Sequence, residues 1–462
     1  LKYIILVVGA GILAGTQIYN PHKRVIEAMA GSALIFVMWN ISTISALWFM
    51  IIMYPFPFGM HYGNSNFVFM LIIVIIFLIR VSSGQEKFHL DRTLALPVGL
   101  LVLAYIFSFK NVPLGTNITR LAIINTANFL SAAALTFLMI NFVDDVSKLK
   151  KAVRLLLISG TLIIAFNIME LLFPGRVIVP GWLQTQYVRG LVLKGVRIGG
   201  PFRDFELNAE FLTLNSFIIF FMIIRTRRML TRSFLSIILL IDLLLMFATV
   251  TRGALIALIV GVIYLMIISR KDLTVAKVIY FMVAFVVVIF VLEKFVAQYT
   301  FSGSVFERMV TVTFEKGFIP DSRTGPWEDA INRGMENPIF GIGPAWDFGS
   351  GHTTGFWPHN LYLFYFNTLG IVGLLAFLFL LFRIVKATIP GIKSSLVKSP
   401  FPEAFMKILH VMIIIFMLDE IKIEYLRNKI YLFFVWILFA LIIITRNIID
   451  KDKSEREDLV QS

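Results

Sequence analysis

The chain has no cysteine, which excludes disulfides, thiol nucleophiles and Cys-ligated metals. It is also poor in charge. Only 15% of its residues are Asp, Glu, Lys or Arg, where a soluble domain carries about a quarter. Acid is missing from its most basic stretches: "RTRRMLTR" (225–232) holds four arginines and "RIVKATIPGIKSSLVK" (383–398) four basic residues, with no acid in either. Walker, Rossmann-glycine and GxSxG patterns are absent, and the six histidines form no HExxH or similar metal set.

What remains is apolar. Hydrophobic residues make up 58% of the chain, and the mean hydropathy is +0.85. The 45 phenylalanines suit lipid contact, and the 7 tryptophans and 13 tyrosines suit interfacial anchoring. The composition predicts an all-α, polytopic membrane protein. Spans of roughly 20 residues are expected at 1–19, 25–55, 67–80, 94–109, 121–141, 153–172, 207–224, 233–250, 254–269, 275–293, 359–382, 404–418 and 430–447. Residues 25–55 read as one long helix or as two broken near Asn40–Ser42, which gives 12 to 14 spans. "LKYIILVVGAGILAGTQIY" reads directly into further spans, so no cleavable signal is expected. One transmembrane domain (1–446) is expected, with an extracytoplasmic subdomain (295–358) inserted in it. A polar cytoplasmic tail (447–462) is expected to fray into disorder.

A net charge of +14 raises the question of nucleic acid. The charge is concentrated at helix ends, so it reads as membrane orientation instead, and no nucleic-acid partner is expected. Four basic stretches, 148–154, 225–232, 269–271 and 383–398, mark the cytoplasmic side. Loops 173–206, 251–253, 295–358 and 419–429 then face outward, while the side of the N-terminus is left open. Loop 295–358 agrees, with seven acids against four bases. Loop 173–206 does not: Arg176, Arg189, Lys194, Arg197 and Arg203 face only Asp204 and Glu206. Either it is an exception to a statistical rule, or its cations are kept to bind an anion.

Arg252 adds to that second reading. It sits in a three-residue turn between two apolar helices, where an arginine is costly unless paired or used. "PWEDAINRGMEN" (326–337) has helical spacing and a Pro start. Trp327, Trp346 and Trp357 are candidates for stacking on sugar rings, and equally for an interfacial belt. His359 follows a proline and opens a span on the same face as the arginines. At a helix start a histidine is commonly a cap. Beside arginines that grip a pyrophosphate bidentately, it also suits the removal of a hydroxyl proton. His22, His61, His89, His352 and His410 have no such context.

Four stretches, taken together, resemble the O-antigen ligase and polymerase superfamily of bacterial envelope enzymes. They are "RIGGPFRDFELNAEFLTL" (197–214), "TRGALIAL" (251–258), "DSRTGPWEDAINRGMENPIFGIG" (321–343) and "HNLYLFYFNTLGIVGLL" (359–375). The resemblance implies a glycosyltransferase of C-type architecture in the bacterial inner membrane, with its active site on the periplasmic or extracytoplasmic face. It implies an undecaprenyl-pyrophosphate-linked glycan as donor, an inverting mechanism and no metal or other cofactor. The family's essential histidine maps onto His359, with Asn360 as possible support. Its arginines map onto Arg252, Arg323 and either Arg197 or Arg203. The first stretch departs from the family's looser form by carrying Asp204, Glu206 and Asn208. The expected reaction is transfer to a sugar hydroxyl of lipid A–core, as in a ligase. A repeat-unit polymerase is the alternative, and a polyprenyl-glycan transporter or a non-catalytic assembly role are the rivals from other classes. Were a metal needed, Asp321 and Asp347 are the candidate ligands.

Overall fold

The computed structural model describes residues 32, 35–57, 59–60, 63–115, 117–173, 197–270, 275–299, 304–310, 321–345 and 358–461. The expected span at 1–19 lies outside them, as do Arg176, Arg189, Lys194, Trp346, Asp347 and Trp357. The described part is a helical bundle, and its one β pairing is a two-residue antiparallel ladder that sets Gly59 opposite Asn64 and Met60 opposite Gly63.

In chain order the helices are α1 (Thr43–Met53), α2 (Ser65–Ser82), α3 (Arg92–Ser108), α4 (Asn117–Phe142), α5 (Val146–Leu172), α6 (Phe205–Arg225), α7 (Met229–Ala248) and α8 (Arg252–Ile268). They continue with α9 (Val275–Tyr299), the single turn α10 (Val305–Arg308), α11 (Asp321–Glu336), α12 (Leu361–Thr388), α13 (Phe401–Asp419) and α14 (Lys429–Gln461). Among the described residues nine helices are long and apolar enough to cross a bilayer, and α1 and α8 are shorter apolar helices. Helix breaks fall where local chemistry supplies a cap. Ser42 is extended and its side chain accepts from the Ser45 N–H, so α1 starts anew after the helical stretch 35–40. This is the second of the two readings of 25–55. The polar tail does not fray: α14 runs on to Gln461, supported by an Arg446–Asp450 pair four residues apart.

Position in the bundle follows from how evenly a helix is apolar. Four-fifths or more of the spans in α6 and α14 is buried, against a third for α2, α5 and α7. Helices that are apolar all round go to the centre. The basic stretches share one end of the bundle. Arg225 donates to the carbonyls of Leu396, Val397 and Ser399. Lys407 Nζ reaches the carbonyl of Ile268, and Lys150 Nζ lies 5.5 Å from the Phe401 ring centre. The loops at 197–205, 249–252, 358–361 and 419–429 therefore gather at the other end.

Near that second end α12 is broken at Gly370 (φ 69°, ψ −169°). Residues 338–343 run against the break and take up the backbone groups it frees. Ile371 N donates to Pro338 O at 2.8 Å, Ile342 N to Asn367 O at 2.9 Å and Gly343 N to Thr368 O at 2.9 Å. Non-helical backbone at such depth persists only when protein satisfies it. Two glycines make the approach possible. Gly341 (φ 67°) lies against the Thr368–Leu369 peptide and Gly370 against Ile339, so a Cβ at either would overlap backbone. The "NPIFGIG" and "LGIVGLL" stretches are thus two sides of one backbone contact.

Candidate functional site

The site is built from three helix starts and the strip that joins them. The first is the entry to α6. Glu170, near the end of α5, accepts from the backbone N–H groups of Gly199 and Gly200 at 3.0 and 2.8 Å. Asn167 and Asn208 exchange side-chain hydrogen bonds of 3.1 and 2.7 Å beneath that turn. A Cβ on Gly200 (φ 58°) would overlap the Asn208 amide. The chain then passes through Arg203, held at φ 59°, to Asp204. Asp204 caps α6 by accepting from the N–H groups of Glu206 and Leu207.

The second is the turn before α8. Arg197 clamps it: Nε donates to Thr249 O at 2.7 Å, and Nη2 to Val250 O at 2.9 Å and Thr251 Oγ1 at 3.2 Å. Its guanidinium also stacks 3.3 Å above the centre of the Phe205 ring. These bonds take up the carbonyls left over at the end of α7. Arg252 is the first residue of α8.

The third is the start of α12. Pro358 is buried and His359 sits at φ 49°, a left-handed conformation unusual for a residue with a Cβ. Asn360 caps the helix, its Oδ1 accepting from the N–H groups of Tyr362 and Leu363, each at 3.0 Å.

Residues 419–428, "DEIKIEYLRN", touch all three starts. Asn360 donates from its backbone N to Glu424 Oε2 at 3.1 Å and from Nδ2 to Ile421 O at 2.9 Å, while Leu361 N donates to Glu420 O at 2.9 Å. Arg427 Nε lies 3.1 Å from Glu424 Oε1, and Arg427 Nη2 lies 3.8 Å from Asp204 Oδ2. Asn428 Nδ2 donates to Phe202 O at 3.0 Å. Lys422 lies against Gly253. Glu424 and Arg427 are buried, which makes this a desolvated pair tying His359–Asn360 to Arg203–Asp204. Below it Tyr431 donates to Glu210 at 2.8 Å, both fully buried.

Of the residues expected from sequence, the structure brings Arg197, Arg203, Arg252, His359 and Asn360 to this strip. Arg323 lies in the first turn of α11, and Trp327 is half-buried one turn further on. Helix α11 packs on α12, the helix that His359 precedes. Trp346 and Trp357 fall outside the described residues. His410 is buried in the bundle between Tyr264 and Thr388, at 2.7 Å from each. The sequence reading passed over Glu424, Arg427, Asn428 and Lys422. The available signal was the density of charge, six charged residues in "DEIKIEYLRNK" (419–429) directly before an apolar span. Among the described residues no three His, Asp or Glu are grouped so as to hold a metal ion. An apolar cavity of about 540 Å³ lies between α6, α7, α8 and α9, lined by Leu243, Leu258, Val262, Leu265 and Val288 among others.

A helical membrane protein with arginines and a histidine at one end of its bundle belongs to a broad class. The comparison with known families narrows it: residues 237–378 match the O-antigen ligase family, so the chain carries a domain of that superfamily. The matched segment contains Arg252, Arg323 and His359, and it leaves Arg197, Arg203 and the 419–428 strip outside. No curated protein sequence matches the chain.

Proposed function

We propose that this protein transfers a glycan from an undecaprenyl-pyrophosphate carrier to a sugar hydroxyl of an acceptor, as an O-antigen ligase does. The reaction is placed on the extracytoplasmic face of a bacterial inner membrane. The observation that carries the reading is the convergence of Arg203, Arg252 and His359 on one ten-residue strip. Their positions suit an anion grip next to a base.

In this reading Arg252, Arg203 and Arg323 hold the donor's pyrophosphate and neutralise the charge that grows on it. Arg197, committed to the 249–251 turn, sets the position of Arg252. His359 takes the proton of the acceptor hydroxyl as its oxygen bonds to the anomeric carbon. The bond from that carbon to the phosphate oxygen breaks, the carrier pyrophosphate leaves, and the anomeric configuration inverts. The grip is made of cations of the chain, so the step runs without a metal. The apolar cavity opens about 9 Å below Arg252 along α8, from the six residues to Leu258 at 1.5 Å each, and suits part of the prenyl chain.

Reconstitution with labelled carrier-linked glycan tests the reading. One glycan added to a lipid A–core acceptor is the expected result. A ladder of lengthened carrier-linked products would make the enzyme a polymerase of the same superfamily. Carrier movement across the bilayer with no glycosidic bond formed would overturn the proposal.

A further inference from the structure

Lys422 occupies the space that a side chain at position 253 would need. A Cβ on Gly253 would overlap the Lys422 ammonium and lie 2.6 Å from its Cε and 2.9 Å from its Cδ. The lysine therefore lies across the first turn of α8, next to Arg252. Its ion-pair partner is Asp419, the last residue of α13. The Lys422 side chain is 29% exposed and that of Asp419 is 5% exposed, so the cation is reachable and its counter-charge is not.

Nothing in α8 itself favours this placement. Two cations meet at a helix start, where the helix dipole opposes positive charge. Their mutual repulsion adds to that cost. Shared contact with an anion removes both penalties. The lysine stem is flexible and its three donors rotate, so the ammonium can turn from a carboxylate to a phosphate oxygen with little displacement.

We propose that Lys422 is a further phosphate-binding residue of this site. Asp419 and the donor's pyrophosphate compete for its ammonium, and position 253 is glycine because that ammonium needs the room. The inference rests on the proposed role of Arg252 as a pyrophosphate ligand.

The test uses the purified full-length protein in detergent and magnesium-free inorganic pyrophosphate as probe, with affinity measured by calorimetry. Lys422→Met should weaken binding about tenfold, the worth of one charge-assisted contact. Lys422→Arg should stay within about threefold, because the charge is kept. Gly253→Ala should weaken binding as Lys422→Met does. Asp419→Asn should tighten it by about threefold, since the competing carboxylate is gone while the side-chain shape remains. The opposite signs separate binding from fold support, because a merely structural ion pair would suffer alike from the loss of either partner. If Lys422→Met does not fold, Lys422→Gln and the Asp419→Asn arm decide. Wild-type affinity in the Lys422 variants, or weakened binding in Asp419→Asn, would overturn the proposal. Pyrophosphate binding that needs Arg252 and ignores Lys422 would remove Lys422 and leave glycan transfer standing. Lys422-dependent binding by a protein that transfers no glycan would do the reverse.

Discussion

The backbone N–H of Asn360 donates to Glu424 Oε2 at 3.1 Å, across 64 residues of sequence. Glu424 is fully buried and faces Arg427 at 3.1 Å, and Arg427 faces Asp204. The residue before Asn360 is His359, held in a left-handed backbone conformation. Such a conformation costs about 1–3 kcal/mol and persists where its surroundings fix it. The carboxylate of Glu424 is one of the groups that fix it.

Glu424→Ala leaves Arg427 buried without its close partner, which costs about 3–5 kcal/mol. Its melting temperature should fall by several degrees, and transfer should fall with it. Glu424→Gln retains the acceptor for Asn360 N–H but loses the charge, so it should be destabilised by a smaller amount. Equal melting temperatures for the wild type and Glu424→Ala would show that this pair does not hold the helix start.

His359→Asn separates base from fold. Asparagine tolerates the left-handed region, so the variant should melt within about two degrees of the wild type. Turnover at saturating donor should drop by about 10² to 10⁴, the usual worth of base catalysis. Near-normal turnover in the folded Asn variant would leave His359 as a cap alone.

The arginines should divide by role. Arg252→Lys and Arg203→Lys keep charge and lose the planar fork, so both should impair donor binding and transfer while leaving the melting temperature near that of the wild type. Arg197→Ala strips three hydrogen bonds from the 249–251 turn. It should lower stability by about 2–4 kcal/mol, counting each bond at about 1 kcal/mol and adding the carbonyls left bare. Unchanged stability in Arg197→Ala would refute its assignment to the turn.

The contact between 338–343 and the break in α12 makes a prediction about glycine. Gly341→Ala and Gly370→Ala each force a Cβ into backbone at positive φ, and each should prevent stable folding or cost at least about 2 kcal/mol. Gly99, inside α3 with open space where its Cβ would be, is the control. Gly99→Ala should leave the melting temperature the same or raise it, by up to about 1 kcal/mol of stability. Folded, wild-type-stable Gly341→Ala protein would contradict the packing described for this loop.

Sidedness is directly testable because the chain has no cysteine of its own. Single cysteines at the exposed positions 336 and 230 should label differently in intact spheroplasts with a membrane-impermeant thiol reagent. Position 336 is expected to react and position 230 to be protected. The reverse pattern would place the arginine–histidine end of the bundle in the cytoplasm and sink the proposed reaction.

The sequence by itself determined the helices and their pairing of ends. A bilayer demands about 20 apolar residues per crossing and internal satisfaction of every backbone polar group. Those demands act on each segment separately, so they are written in local composition. Hence the segments from 67 onward read from sequence appear as helices with ends shifted by a few residues, and the basic stretches at 148–154, 225–232 and 383–398 do lie together. The break near Asn40–Ser42 was legible for the same reason, as polar residues inside an apolar run. Only the tertiary structure decided the rest. A charged ten-residue loop looks the same whether it is solvated or folded into a core, so 419–428 gave no sign that it joins three helix starts. The sequence allowed Arg197 and Arg203 equal claims, because the difference lies in carbonyls at 249 and 250, more than fifty residues away. Gly341 and Gly370 each read as an ordinary loop or helix glycine until their backbones meet. Contacts of this kind depend on which helices pack together, and packing is settled by the whole bundle at once rather than by any stretch of it.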